Sequence, residues 1–151
     1  MKKRLRRALF DTMITGNTMT PEELNRVSTT ELAYLGDAVY EVYIRRMILE
    51  VYPADAGKSH KAAVKYVAAA GQAAAAKALM AEDFLTEAEE RILKRARNHR
   101  SMSRPQHADP RDYKLATGFE AVIGYLYLSG DIERVRSISA EAVRIIESQI
   151  R

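Results

Sequence analysis

The stretch TGFEAVIGYLYL, residues 117–128, restricts the fold more than any other part of this 151-residue chain. Phe119, Ala121, Val122, Ile123, Leu126 and Leu128 surround Glu120, the only charge between Lys114 and Asp131. A helix that is apolar nearly all round is enclosed by other elements and does not lie on a surface. Burying an unpaired carboxylate costs on the order of several kcal/mol, so Glu120 must be paired, protonated or bound to a metal. One segment therefore demands both a central helix and a partner for its acid.

A second stretch raises the same question. In ELAYLGDAVYEVYIRR, residues 31–46, and just beyond it, Leu32, Leu35, Val39, Val42 and Leu49 make an apolar stripe at helical spacing. Gly36 and Asp37 interrupt it near the middle, although glycine weakens a helix interior by roughly 1 kcal/mol relative to alanine. Tyr34, Asp37, Glu41 and Arg45 form a stripe bordering the apolar face. Glu41 and Arg45 are an i, i+4 pair of the favourable order and need no functional role. Asp37 has only Ala33 and Glu41 one turn away, so its own helix offers it no base.

Asp37 and Glu120 are thus two carboxylates on apolar helices, each near a glycine, Gly36 and Gly124, that opens room. Such a pair suits a hard cation, because Mg²⁺ takes oxygen ligands and keeps several waters, so one or two carboxylates suffice. Buried salt bridges to arginines would satisfy the same acids, and spacing alone leaves both readings open.

The remaining pattern is helical almost throughout. Thr20-Pro21-Glu22-Glu23 is a capping box with proline at the first helical position. A helix capped near Ser28 or Thr29 runs to about Glu50, and Pro53 and Gly57 mark a loop. One alanine-rich helix is expected from between Asp55 and Ser59 to about Ala81, anchored by Val64, Tyr66, Val67 and Leu79. Thr86 and Glu89 form a second capping box, opening a helix to about Asn98. The segment SMSRPQHADPRDYK then reads as a loop, and long loops in compact domains are often functional. Helices follow from about Asp112 to Leu128 and, after Ser129-Gly130 and an Asp131 cap, to the end, with Ile132, Val135, Ile138, Ala142, Ile146 and Ile150 inward. No strand pattern competes, so the domain is all-α. Its organisation reads as a basic extension, residues 1–19, before a single domain, residues 20–151.

Charge and composition narrow the function. Absence of cysteine excludes disulfides and thiolate metal sites. His60, His99 and His107 lack zinc spacing, and no serine nucleophile motif, phosphate-binding glycine loop or dinucleotide fingerprint occurs. No apolar run approaches the roughly 18 residues of a membrane span, and no secretory core follows the basic start, so the chain reads as cytoplasmic. Basic charge is clustered at Lys2, Lys3, Arg4, Arg6 and Arg7, which reads as a solvated, floppy terminus. A second cluster, Arg91, Lys94, Arg95, Arg97, Arg100 and Arg104, has no acid among residues 91–108 and reads as a contact for a polyanion such as nucleic acid.

Taken together, LAYLGDAVYEVYIRR resembles the signature helix of the ribonuclease III endonuclease domain, and TGFEAVIGYLYL resembles that domain's second acidic helix. The whole chain from about residue 28 to 150 is similar to Mini-ribonuclease III, the small bacterial branch without a separate double-stranded-RNA-binding domain. The resemblance implies the ribonuclease III helical fold, with Asp37 and Glu120 as metal-binding catalytic acids and Tyr34 near a homodimer interface. It further implies Mg²⁺ as cofactor, with Mn²⁺ able to substitute, and a metal-activated water that hydrolyses double-stranded RNA to 5′-phosphate and 3′-hydroxyl ends. The implied substrate is the precursor of large-subunit (23S) ribosomal RNA, with a ribosomal protein as a further candidate partner. Basic residues suited to gripping an RNA duplex are Arg95, Arg97, Asn98, Arg100 and Arg104, with Lys58 and Lys61 as further contacts. The general family signature has glutamates at the positions of Thr30 and Ala33 and an aspartate at Thr117. The small branch similarly lacks them, and their loss leaves open whether one or two metals bind. These departures also keep a second reading in view, a non-catalytic RNA-binding or ribosome-associated module on the same fold. A third, a generic helical DNA-binding protein, would make both acids structural.

Overall fold

The computed structural model describes residues 2–14, 18–52, 54–99 and 109–149. Among them are eight helices: α1 (Lys2–Ile14), α2 (Pro21–Leu24), α3 (Thr29–Val51), α4 (Ala56–Val67), α5 (Ala69–Ala81), α6 (Glu87–Asn98), α7 (Pro110–Leu128) and α8 (Ile132–Ser148). No strand occurs among the described residues. The expected caps form: Thr20 and Thr86 close reciprocal boxes with Glu23 and Glu89, Ser28 accepts from the Glu31 amide, and Asp131 accepts from the Arg134 amide.

Helix α7 is the hub, as its apolar circumference requires. Nine of its residues, from Leu115 to Leu126, are buried, and α3, α5, α6 and α8 all pack on it. Its contact with α3 is the most extensive in the molecule, and it depends on paired glycines. A Cβ added at Gly36 would sit 1.7 Å from the Glu120 carbonyl oxygen and 2.8 Å from the Gly124 amide nitrogen. One added at Gly124 would meet the Leu32 carbonyl oxygen at 2.0 Å. The two helices therefore touch backbone to backbone. One turn away, Tyr40 and Phe119 meet edge to face with ring centroids 4.9 Å apart, and the Tyr40 hydroxyl donates to the Tyr66 carbonyl at 3.2 Å. On the far flank, Arg134 of α8 donates to both carboxylate oxygens of Glu89 at 2.9 Å and to the Phe84 carbonyl at 2.6 Å, tying α6 to α8. Burial works to raise the pKa of Glu89, but the Arg134 guanidinium and the Thr86 hydrogen bonds hold it below the ordinary glutamate value.

Three expectations are corrected. The alanine-rich segment is two helices, broken where Ala68 takes an extended conformation (φ −65°, ψ 152°). Gln72 donates to the Val67 carbonyl at 3.1 Å, and Gly71 admits the Lys65 carbonyl to a place a Cβ would fill, 2.2 Å away. The buried line of α3 runs through Leu32, Ala33, Gly36, Tyr40, Ile44 and Ile48, leaving Val42 and Leu49 exposed. At the ends of helices, Val64 and Ile132 are also exposed. Helix α7 begins two residues before its expected start, with Pro110 at its first position and Asp109 as cap. Pro53 and Ile150 lie outside the described residues.

The glycine contact gives a paired prediction. Gly36→Ala is expected to cost at least about 2 kcal/mol, the range of severe overpacking. Gly57→Ala, whose nearest neighbour is Asp55 Oδ1 at 3.7 Å in ordinary contact, should be neutral or stabilise α4 by up to about 1 kcal/mol. Urea unfolding of both variants checks this, and equal midpoints would refute the backbone contact.

Candidate active site

Because Gly36 rests on the Glu120 backbone, the next residue, Asp37, is delivered to the Glu120 side chain. Asp37 is exposed at the rim, whereas Glu120 is partly covered. The Glu120 pKa is pushed up from 4.5 to about 9, first by burial, then by its hydrogen bond to Asp37, then by the charge on Asp37. Two carboxylates this close resist double ionisation, so at neutral pH Glu120 keeps a proton that it donates to Asp37. Among the described residues no lysine or arginine forms an ion pair with either acid. Of the two partners left open by sequence, the arginine bridge is thus missing among these residues, and the acids have each other.

The pair lies beside a cleft of about 450 Å³ between α3, α6 and α7. Thr30, Ala33 and Tyr34 line one wall, Ala96 and His99 the second, and Tyr113, Lys114 and Thr117 the third. All three positions where the family signature would place further acids, Thr30, Ala33 and Thr117, open onto this one cleft. The Thr117 hydroxyl donates to the Tyr113 carbonyl at 2.9 Å and so stays with its own helix. Among the described residues, no group of three or more carboxylates or imidazoles gathers at any point, so the acid pair has only two members. Tyr113 and Lys114 were missed by sequence reasoning. Tyr113, Thr117, Glu120 and Gly124 follow one another at helical spacing, and that period places Tyr113 on the face of the acid.

Tyr34 is 84% exposed at the cleft mouth, unusual for so large an aromatic side chain. Arg95 and Asn98 are exposed on the last turn of α6, and Arg97, half-buried, donates to Asn98 Oδ1 at 3.2 Å. Arg100, Arg104 and His107 lie outside the described residues. Lys58 and Lys61 are exposed on α4, and Lys58 Nζ is 3.9 Å from Asp55 Oδ2. They are not gathered with the α6 bases. Helix α4 flanks a groove over Arg45, Ile48 and Leu49, whereas α6 borders α3 near Thr30 and Ala33. At 1.5 Å per residue those two places on α3 are roughly 22 Å apart, with Asp37 between them.

A helical scaffold presenting two apposed acids beside a cleft, with exposed bases on both sides, is compatible with a polyanionic, phosphate-bearing substrate. The family model of the Ribonuclease III domain matches residues 30–131, and the chain belongs to that family. It is 41% identical over 129 residues to the Mini-ribonuclease 3 of Thermoanaerobacter sp., covering 85% of this chain and 89% of that protein. It is 39% identical to the Mini-ribonuclease 3 of Streptococcus pneumoniae, over 83% of this chain and 98% of the relative. A crystal structure of a Fusobacterium nucleatum protein superposes with a TM-score of 0.70 at 31% identity, over 79% of this chain and 93% of the other. The chain is an endoribonuclease of the ribonuclease III family, a hydrolase acting on double-stranded RNA.

The shared proton generates a prediction with a definite sign. The folded pKa of Glu120 lies above its ordinary value, so the folded state holds a proton that the unfolded chain releases between pH 4.5 and about 9. Without divalent metal, stability should fall as the pH rises through that window, and Glu120→Gln should remove most of the slope. Thermal unfolding at pH 5, 7 and 9 in EDTA measures it. Equal slopes in the two proteins would rule out the shared proton.

Proposed function

We propose that Asp37 and Glu120 are the catalytic acids of a Mg²⁺-dependent endoribonuclease that cleaves double-stranded RNA, with Mn²⁺ able to replace Mg²⁺. The observation carrying this is the apposition of two carboxylates, with no base paired to either among the described residues, at the crossing where Gly36 and Gly124 let α3 and α7 touch. The donor set fits a hard cation. It offers anionic oxygen, one acid is exposed to solvent, and the proton between them is one that a cation would displace. Mg²⁺ supplies Lewis-acid activation of a water and neutralises charge on the phosphate and the leaving 3′ oxygen. Asp37 and Glu120 would hold it through their carboxylate oxygens, and two protein ligands leave room for water and substrate phosphate. The products are then 5′-phosphate and 3′-hydroxyl ends.

Arg95, Arg97 and Asn98 on α6, with Arg100 and Arg104 beyond it and Lys58 and Lys61 on α4, are the proposed duplex contacts. A-form RNA is read through its phosphates and 2′-hydroxyls, and bases placed on either side of the acids suit a rod-shaped polyanion. The family resemblance supports a homodimer in which two sites face opposite strands, and Tyr34, a large aromatic side chain left 84% exposed at the cleft mouth, is the residue proposed for its interface. The kinship with the Mini-ribonuclease 3 proteins supports cytoplasmic maturation of 23S ribosomal RNA precursor, with residues 20–151 as the endonuclease domain and a ribosomal protein as a candidate assistant.

Duplex cleavage with Mg²⁺, set beside EDTA, tests the reading. Asp37→Asn and Glu120→Gln should each lower the rate by at least roughly a hundredfold with the helical content unchanged. Cleavage at the wild-type rate by either variant would remove that residue from the site. Duplex binding that never leads to cutting would instead favour the non-catalytic module.

A further inference from the structure

Residues 1–19 hold Lys2, Lys3, Arg4, Arg6 and Arg7 against a single acid, Asp11. Those five bases and one acid account for the whole formal net charge of +4, leaving residues 20–151 electroneutral. An enzyme for a polyanion thus has a body with local basic clusters but no net charge, and all its surplus charge on one appendage. The appendage is helix α1, and every side chain from Lys2 to Ala8 on it is exposed. Among the described residues, none of the extensive helix pairings involves α1.

In isolation, α1 is electrostatically self-opposed. Lys2 and Arg6, and Lys3 and Arg7, are like-charge i, i+4 pairs, which destabilise a helix. The bases crowd its N-terminal half, where the macrodipole favours acids, and its first turn contains none. A helix of 13 residues is in any case marginal in water without a packed face. The charge penalties change sign beside a row of phosphates.

The root of α1 is also well placed. The Met19 amide donates to the Leu128 carbonyl at 3.0 Å, and Thr18 packs against Gly130, whose positive φ of 83° turns the chain between α7 and α8. Leu128 is eight residues beyond Glu120 on α7, roughly 12 Å along the helix axis. An arm of about 20 Å attached there is longer than that separation.

We propose that α1 is an RNA-binding arm, a basic helix stabilised by the duplex phosphates, which adds the chain's surplus positive charge to the contacts made by the electroneutral domain. This rests on the reading of the chain as a duplex-RNA enzyme and adds a contact site to it. The test uses the full chain in EDTA, where no cutting occurs, and a full-length variant with Lys2, Lys3, Arg4, Arg6 and Arg7 all changed to Gln. Binding to a fluorescent RNA duplex is followed from 50 to 200 mM salt. With about four to five fewer phosphates neutralised, the slope of log affinity against log salt should be shallower by about 3–4 and the affinity weaker by at least about tenfold. Amide exchange in residues 2–14 should slow on adding duplex to the wild-type chain. With Mg²⁺, KM should rise in the variant while kcat at saturating duplex stays unchanged. Equal slopes and affinities would overturn the arm and leave the enzyme reading standing, whereas a wild-type chain that does not bind duplex would overturn both. Loss of binding to phosphatidylglycerol vesicles with duplex binding unchanged would also overturn the proposal, because α1 would then be a membrane-surface helix.

Discussion

The backbone contact between α3 and α7 is what the rest of the structure depends on. Side chains usually hold helix axes about 8–10 Å apart. Here Gly36 faces the Glu120 carbonyl and Gly124 faces the Leu32 carbonyl, with no space for a methyl group at either point. The close approach has two consequences. It seals the centre of the core, where Tyr40 and Phe119 interlock, and it sets residue 37 against residue 120. A glycine beside each acid looked in the sequence like room left for a ligand. In the structure that room is filled by the other helix, and the acids meet because of it.

The electrostatics of the pair follow from the same geometry. Several acids of this protein have conventional partners: Glu89 holds Arg134, Glu41 holds Arg45 and Glu133 holds Arg136. The Glu89 pair is the instructive contrast, since burial acts on both glutamates but a guanidinium pulls Glu89 down while a second carboxylate pushes Glu120 up. One arrangement is a finished structural link. The other retains a proton and has no base, and the proposed metal site rests on that difference.

Much of this was legible in the sequence. The all-round apolar character of residues 117–128 identified the hub, the caps at Thr20, Ser28, Thr86 and Asp131 located four helix starts, and the isolated charge of Glu120 singled out an acid that the structure sets against Asp37. The failures share a cause, which is that local pattern carries no information about the neighbour. Val42 and Leu49 read as core because they are apolar at the right period. The buried line of α3 was set instead by where the α7 backbone approaches, through Gly36, and by Tyr40, whose ring is buried while its hydroxyl finds a carbonyl. The break at Ala68 has no proline and no turn motif behind it. Alanine has the best helix propensity of all, so nothing short of tertiary packing could end a helix there.

The cleft beside the acids explains how the site tolerates so few of them. Thr30, Ala33 and Thr117 all open onto it, so carboxylates at those positions would stand within one or two turns of Asp37 and Glu120 on the same two helices. Each would add repulsion to a pair that already retains a proton near neutrality. With neutral side chains instead, no further acid adds to the repulsion at the crossing. The consequence falls on binding. On the proposed reading, fewer protein oxygens would face a cation, so more of its ligands would come from water and from the phosphates of the substrate. Metal affinity would then depend on the presence of RNA, and the acids missing from the cleft would be the physical reason for that coupling.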